Sequence, residues 1–379
     1  MRRMLLLSSA ALIATSVTSA AQTISLPPNG DNQRSEVIQY IGLVRTSIEY
    51  NSPDVHGPTG EDRRGKIWGT LVPWGIHDLG FNNAKGPWRA GSNENTVFSV
   101  SHDVKIDGKP LAAGRYGLHM LAGETEWTVI FSKNSTSWGS FTYNQAEDAL
   151  RVTVKPVKSP YREWLTYDFI DRKPDRATVA LAWEELSVPF TISVDNISTL
   201  YVDNIRRELR GAAGFSWQQW NLAAQYCLLA DTNLNEALTW SESAIALPGV
   251  GQANFVTLST KAQILNKLSK TSEADAVMAT ALDLPGALPV QIHQYGRQLL
   301  TQGKTKEALA VFQKNAKRFG DAWPVHVGLA RGFSAVGDYK AALKHAEIAL
   351  TQAPDDINKK SLEAAVIRLK EGKDMNTNR

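Results

Sequence analysis

The spacing of apolar residues in this chain changes near residue 195, and the change restricts each half to a different kind of structure. From about residue 36 to 195, apolar and polar residues alternate in short runs that are separated by Gly, Pro, Asn and Asp. A period of two buries one face of each strand. We therefore expect an antiparallel β-sandwich of jelly-roll or immunoglobulin-like type over residues 22–195.

The clearest strand patterns in this half are rich in Val, Ile, Thr and aromatic residues. They occupy residues 43–50, 97–106, 126–132, 149–157, 163–170, 177–186 and 188–194. Trp127, Trp164 and Trp183 lie within these runs, so we expect them in the core. Trp74 and Trp88 instead lie in loops that contain Gly and Pro, where core packing explains a large aromatic residue less well.

After a helical connector at 196–215, the second half shows only helical periodicity, and its pattern repeats. Small residues recur at Ala237, Ala274, Ala308 and Ala342, with spacings of 37, 34 and 34 residues. Small residues allow two helices to cross closely. Paired helices with a period of 34 resemble the tetratricopeptide repeat. The resemblance implies an α-helical solenoid of four helix pairs over 216–356, followed by a capping helix and tail at 357–379.

The first 21 residues have the pattern of a secretory signal peptide. Arg2 and Arg3 precede a short apolar run, and small residues at 18–20 follow it. We expect cleavage after Ala20 or Ala21, and export to the periplasm or the extracellular space. No later segment is long and apolar enough to span a membrane, so we expect no integral membrane segment in the mature chain.

Composition excludes several other classes. Of the 379 residues 43% are hydrophobic and 21% are charged, which is typical of globular domains with a buried core. The formal charge of +3 is too small for a protein that binds nucleic acid through charge alone. Cys227 is the only cysteine, so no intrachain disulfide can form.

The first half contains a succession of motifs, rich in Gly and Trp, that is unusual for a simple β-sandwich. They span residues 64–69, 71–75, 87–96, 101–121, 126–141 and 150–156. This succession resembles the family called Domain of Unknown Function 2911, over about residues 47–194. The resemblance implies a β-rich fold and leaves the activity open, because the family has no assigned function.

The segment at 87–96 carries the best candidates for a polar ligand site. Arg89 offers a planar fork of donors that suits carboxylate, phosphate or sugar hydroxyl groups. Asn93 can donate and accept hydrogen bonds, and Glu94 can act as an acid, a base or a ligand. Trp74 and Trp88 could supply an apolar or stacking wall. In the alternative interpretation, Arg89 and Glu94 form an ion pair that fixes the loop to the sandwich.

Metal binding and nucleophilic catalysis have weaker sequence support. His102 and His119 lie on neighbouring strand patterns, but no His or Cys spacing typical of a metal site accompanies them. No nucleophile elbow and no glycine-rich phosphate loop is present. We therefore predict neither a metal nor another cofactor.

Two functions remain open. We favour a binding and assembly protein, with a small polar or glycan-like ligand on the β half and a protein partner on the repeats. The alternative is a hydrolytic or metal-assisted enzyme that uses Glu94 as acid or base and Arg89 as a clamp for an anion. The substitution Glu94→Gln separates them. It should abolish turnover if the protein is an enzyme, and it should at most weaken ligand binding if it is a binding protein.

Overall fold

A computed structural model describes residues 32–57, 59–80 and 84–376 of this chain. The chain divides into two compact units, with the boundary between Ile197 and Ser198. We call them the β unit and the helical unit. The expected signal peptide at 1–21 lies outside the described residues.

The β unit consists of antiparallel strands arranged in three sheets. The six-stranded sheet has the order β1-β2-β5-β8-β9-β10, the four-stranded sheet has the order β11-β12-β6-β7, and β3 pairs with β4. The strands are β1 Gln33–Ile41, β2 Val44–Ser52, β3 His77–Asp78, β4 Lys85–Gly86, β5 Thr96–Val100, β6 Val104–Ile106, β7 Lys109–Leu111, β8 Gly114–Leu121, β9 Trp127–Ser132, β10 Asp148–Val154, β11 Val157–Lys173 and β12 Arg176–Ser193.

The two larger sheets pack against each other through aromatic side chains. Phe98 and Phe131 of the six-stranded sheet meet Phe190 of β12, with ring centroids 6.5 and 5.7 Å from it. Tyr50 of β2 meets Tyr167 of β11 at 4.9 Å. Burial of such rings supplies much of the free energy of a sandwich core. The predicted antiparallel sandwich is confirmed.

Two details of the strand prediction are wrong. The run 97–106 is two strands, β5 and β6, which belong to different sheets. The chain changes sheet at Ser101–Asp103, where the Asp103 carboxylate accepts a hydrogen bond from the Ala113 amide at 2.8 Å. Trp164 is also not a core residue, because its side chain on β11 is 37% exposed.

The helical unit is built from consecutive helices. They are α1 Ile197–Glu208, α2 Trp217–Leu229, α3 Leu234–Ala246, α4 Phe255–Lys267, α5 Thr271–Asp283, α6 Pro289–Thr301, α7 Thr305–Phe319, α8 Trp323–Ala335, α9 Tyr339–Thr351 and α10 Asp356–Lys370. Polar residues begin several of them: Asn254 caps α4, Asp338 caps α9 and Asp355 caps α10 through side-chain bonds to free backbone amides.

These helices pack as successive pairs, α2 with α3, α4 with α5, α6 with α7 and α8 with α9, and α10 packs on α9. The recurring small residues Ala237, Ala274, Ala308 and Ala342 are completely buried. The fold class, a β-sandwich followed by a helical repeat solenoid, is confirmed. In the described part of the chain, no helix has both the length and the apolar character needed to cross a membrane.

Candidate functional site

Four tryptophans pack together near the candidate loop. The Trp68 ring lies 5.9 Å from Trp88, 5.2 Å from Trp127 and 5.6 Å from Trp183, edge to face in each case. Trp88 also stacks on Trp183 at 6.4 Å. This cluster packs loop residues against β9 and β12. The loop residue Trp88 is therefore held by core packing, and most of its ring is not free to stack on a ligand.

The backbone on both sides of Arg89 is held firmly. Trp88 exchanges two backbone hydrogen bonds with Met120 of β8, at 2.9 and 2.8 Å. The Ala90 carbonyl accepts from the buried Tyr167 hydroxyl at 2.8 Å and from the Thr96 hydroxyl at 3.2 Å. Arg89 therefore projects from a loop whose position is set by both sheets.

The Arg89 guanidinium is half-buried and makes few polar contacts. Its Nη1 donates to the Asn93 carbonyl at 2.6 Å, and the group lies 5.2 Å from the Phe141 ring centroid. Burial lowers the pKa of Arg89 from its usual value, although arginine stays charged at neutral pH. Among the described residues, no carboxylate lies within salt-bridge distance of Arg89.

Glu94 makes a different contact from the one expected in a structural ion pair. Its side chain is exposed, and its carboxylate accepts a hydrogen bond from the buried Asn51 amide at 2.8 Å. Within the described residues, Arg89 and Glu94 therefore do not pair. The alternative interpretation of the loop, an internal ion pair, has no geometric support.

Arg89 opens into a cleft of about 460 Å³, which we call the Arg89 cleft. Three of the five candidate residues line it: Trp88, Arg89 and Asn93. The other two, Trp74 and Glu94, do not. Trp74 is 39% exposed, and its indole lies against Gly69, where an added Cβ would come within 2.7 Å of the ring.

The cleft also contains polar residues other than the five candidates. Asn32 and Ser92 line it, and so does Arg63, whose Nε donates to the Glu61 carboxylate at 2.6 Å. His77 and Asp78 of β3 complete the polar part of the lining. Since these residues come from separate segments, no local motif could have indicated their convergence.

The structure keeps the two metal candidates apart. β5 pairs with β8 so that Thr96 faces Leu118 and Val100 faces Gly114. His119 therefore lies beyond one end of β5 and His102 beyond the other. In the described parts of the chain, no group of three His, Cys, Asp or Glu side chains is placed to hold a metal ion.

His119 instead forms a buried pair with a serine. Its Nδ1 lies 2.9 Å from the Ser140 hydroxyl, and both side chains are almost fully buried. Burial, with a smaller contribution from the charge of Arg89, lowers the pKa of His119 to about 4. A neutral histidine beside a serine is a potential base, but a ligand has no access to a hydroxyl that is 1% exposed.

These observations define the class of protein: an antiparallel β-sandwich with a polar cleft, joined to a helical repeat unit. Residues 32–192 match the family model described as Protein of unknown function (DUF2911). The match covers the sandwich and ends before α1, in agreement with the resemblance found in the sequence. A search of curated proteins finds no match.

Proposed function

We propose that this chain is a binding protein that holds a small polar ligand in the Arg89 cleft and a protein partner on its helical unit. The main support for ligand binding in the cleft is Arg89. It is a half-buried cation in a concave site and has no carboxylate partner among the described residues. A charge in such a place costs free energy unless an anion or several hydrogen bonds offset that cost.

Asp78 adds a carboxylate to the lining of the cleft, where it accepts a hydrogen bond from the Gly80 amide at 2.8 Å. The rest of the polar lining favours a ligand with an anionic group and hydroxyls. The fork of Arg89 suits a carboxylate or phosphate, while Asn32, Ser92 and Asn93 offer donors and acceptors for hydroxyl groups. The apolar part of the lining, with Trp88 and Trp183, can cover the carbon face of a sugar. An acidic sugar combines both features.

A thermal-shift and calorimetry comparison tests this proposal. The full chain is titrated with glucuronate, succinate, inorganic phosphate and glucose. We expect glucuronate to bind most tightly, and we expect Arg89→Gln to weaken its binding by about tenfold because one charge-assisted pair is lost. Arg89→Lys keeps the charge and loses the fork, so it should restore only part of the affinity.

The control is Arg176→Gln, which removes an exposed arginine at the far end of the β11–β12 hairpin. It should leave binding unchanged. If only glucose binds, the ligand does not need an anionic group. If the wild type and Arg89→Gln bind glucuronate equally, the ligand does not bind in the Arg89 cleft. The melting of each variant without ligand shows whether the substitution itself disturbs folding.

Catalysis through Glu94 and Arg89 is less compatible with this geometry. Both groups would have to reach the same ligand, whereas Arg89 lines the cleft and Glu94 bonds to Asn51 outside its lining. The binding function therefore remains our conclusion for this site.

We further propose that the helical unit is of the tetratricopeptide type and binds a protein. The period of 34 residues, the paired helices and the buried alanines at matching positions support this. Helical repeats of this kind present extended surfaces that suit peptides and domains.

Export to the periplasm or extracellular space is part of the same proposal. It rests on the charge and apolar pattern of residues 2–20. N-terminal sequencing of the protein from its native compartment tests it: a mature chain that begins at Ala21 or Gln22 supports export, and an intact leader contradicts it.

A further inference from the structure

The first helices of three successive pairs carry side chains at one matching position. Gln263 of α4, Arg297 of α6 and Arg331 of α8 are each the ninth residue of their helix and follow each other at intervals of 34 residues. We call these three residues the repeat column. Their character changes along the stack from amide to basic, and the exposed Leu229 at the end of α2 precedes them.

Three neighbouring cavities follow this column. Leu229 lines both the first, of about 380 Å³, and the second, of about 490 Å³. The second contains Gln263 and Gln298, and the third, of about 420 Å³, contains Arg297. The first and second cavities share Leu229, and the second and third are both lined by α6, through Gln298 and Arg297. We treat the three cavities together as one surface.

The α2 end of this surface is apolar and open to solvent. Leu222 and Leu229 are 59% and 86% exposed, although they line a mainly hydrophobic cavity together with Leu209 and Tyr226. Large exposed apolar side chains in a concave place are typical of a binding surface.

The α10 end is basic. Arg297, Arg331 and Arg368 line the third cavity, and its described lining contains no Asp or Glu. The Asp374 carboxylate lies beside the cavity, where it accepts a hydrogen bond from the Ser334 hydroxyl at 2.6 Å. His293 lines the same cavity; its pKa is lowered to about 4, mainly by burial and then by the charges of Arg331 and Arg297.

This basic end already holds a peptide segment of the chain itself. Arg331 donates to the Asn376 side-chain oxygen at 3.2 Å, and Arg368 donates to the Asp374 carbonyl at 3.1 Å. The Met375 amide in turn donates to the Ser334 hydroxyl at 2.9 Å. Arg331 and Arg368 thus bind oxygen atoms of a peptide segment, and the exposed Arg297 lines the same cavity.

We propose that the partner bound by the helical unit presents an acidic peptide segment next to apolar side chains, with the acidic part on Arg297 and the apolar part on Leu229. This inference rests on the proposed function of the helical unit. Charge complementarity selects acidic groups at one end, and exposed leucines select apolar groups at the other. A nucleic acid would need a longer basic surface than one end of a stack in a chain of nearly balanced charge.

Fluorescence anisotropy of the full chain tests the inference with labelled peptides. One peptide has a leucine-rich half and a glutamate-rich half, and an analogue has glutamine in place of glutamate. We expect the glutamate peptide to bind, with an affinity that falls as salt rises. Arg297→Gln should weaken this binding by about tenfold, since a charge-assisted contact is lost.

A matched variant shows whether binding depends on an arginine at this surface or only on the total charge of the protein. Arg210→Gln removes an exposed arginine outside the three cavities and should have no effect. Leu229→Ser should weaken binding only of peptides that contain leucine. Equal affinity for the glutamate and glutamine peptides, an equal loss in Arg210→Gln, or tighter binding of a single-stranded oligonucleotide would each overturn the proposal.

A cross-linking capture distinguishes failure of this inference from failure of the proposed function. A protein partner that cross-links equally to the wild type, Arg297→Gln and Leu229→Ser would retain the partner-binding function and reject this surface. Failure of every peptide and of every cross-link would count against both.

Discussion

Arg89 and Glu94 lie in one short loop, but their side chains point in different directions: Arg89 lines the cleft and Glu94 bonds to Asn51. Ala90 and Asn93 both have positive φ, 53° and 56°. Left-handed backbone costs about 1 kcal/mol or more at a residue such as alanine. The hydrogen bonds from Tyr167 and Thr96 to the Ala90 carbonyl hold that conformation. The sequence therefore indicates a polar loop without showing which of its side chains meet.

At Glu94, this geometry leads to a direct prediction. Glu94→Gln keeps an acceptor for the Asn51 amide and removes an exposed charge outside the cleft lining. We expect the free energy of unfolding, measured in urea, to change by less than about 1 kcal/mol. Glucuronate affinity, measured by calorimetry, should stay within about twofold of the wild type.

The corresponding change inside the cleft is Asn93→Asp, which places a negative charge beside the ligand and should weaken glucuronate binding. If Glu94→Gln abolished a turnover of any compound that the cleft binds while folding stayed intact, the enzyme interpretation would replace the binding one.

At the level of elements, periodicity predicts which type of structure forms but not how strands are assigned to sheets. The run 97–106 reads as one strand because the buried Val100 of β5 and Val104 of β6 are an even number of residues apart, although they belong to different sheets. Trp164 is out of phase with the buried Leu165 and Tyr167, so it lies on the outer face of β11, although its size suggested the core. The Arg89 cleft joins separate segments, so its lining depends on tertiary packing that no local pattern contains.

Close helix packing in the helical unit depends on glycines around one phenylalanine. The fully buried Phe312 of α7 touches Gly296 of α6 and Gly328 and Gly332 of α8. A Cβ added at Gly296 would lie 2.3 Å from the Phe312 ring. The ring cannot move away, because glycines on two helices enclose it.

We therefore expect Gly296→Ala to destabilise the helical unit. Alanine gains about 1 kcal/mol of helix propensity over glycine, but overpacking costs about 1–3 kcal/mol. These figures leave a net loss of about 0–2 kcal/mol, and the 2.3 Å approach to Phe312 favours the upper end of that range. Urea unfolding followed through helical circular dichroism measures it.

Two further variants show whether the clash is the cause. Gly286→Ala, in the turn between α5 and α6, is the control for a substitution without a clash, because no atom lies within 4 Å of its added Cβ. Phe312→Leu should itself destabilise the unit but should remove most of the additional cost of Gly296→Ala. An undiminished cost in that background would mean that the ring contact is not responsible.

Across the whole molecule, each unit contains one buried histidine with a strongly lowered pKa. His119 lies in β8 and His293 in α6, and burial is the main cause for each, followed by nearby arginine charges. Both have a pKa of about 4 in the folded chain, compared with 6.5 for a solvent-exposed histidine side chain. Acid should therefore weaken both units over the same pH range.

The sign of this effect follows from proton linkage. Between pH 6.5 and about 4 the unfolded chain binds protons that the folded histidines do not, so stability is complete above pH 6.5 and falls as the pH approaches 4. Each histidine can account for a loss of at most about 3 kcal/mol.

Hydrogen exchange measured at several pH values, in peptides covering β8 and α6, should show this loss in both units. His119→Asn should flatten the pH dependence in β8 alone, and His293→Asn should flatten it in α6 alone. His102→Asn, in the turn between β5 and β6, should change neither profile. A pH dependence that persists in β8 after His119→Asn would assign the acid sensitivity of the β unit to its carboxylates instead.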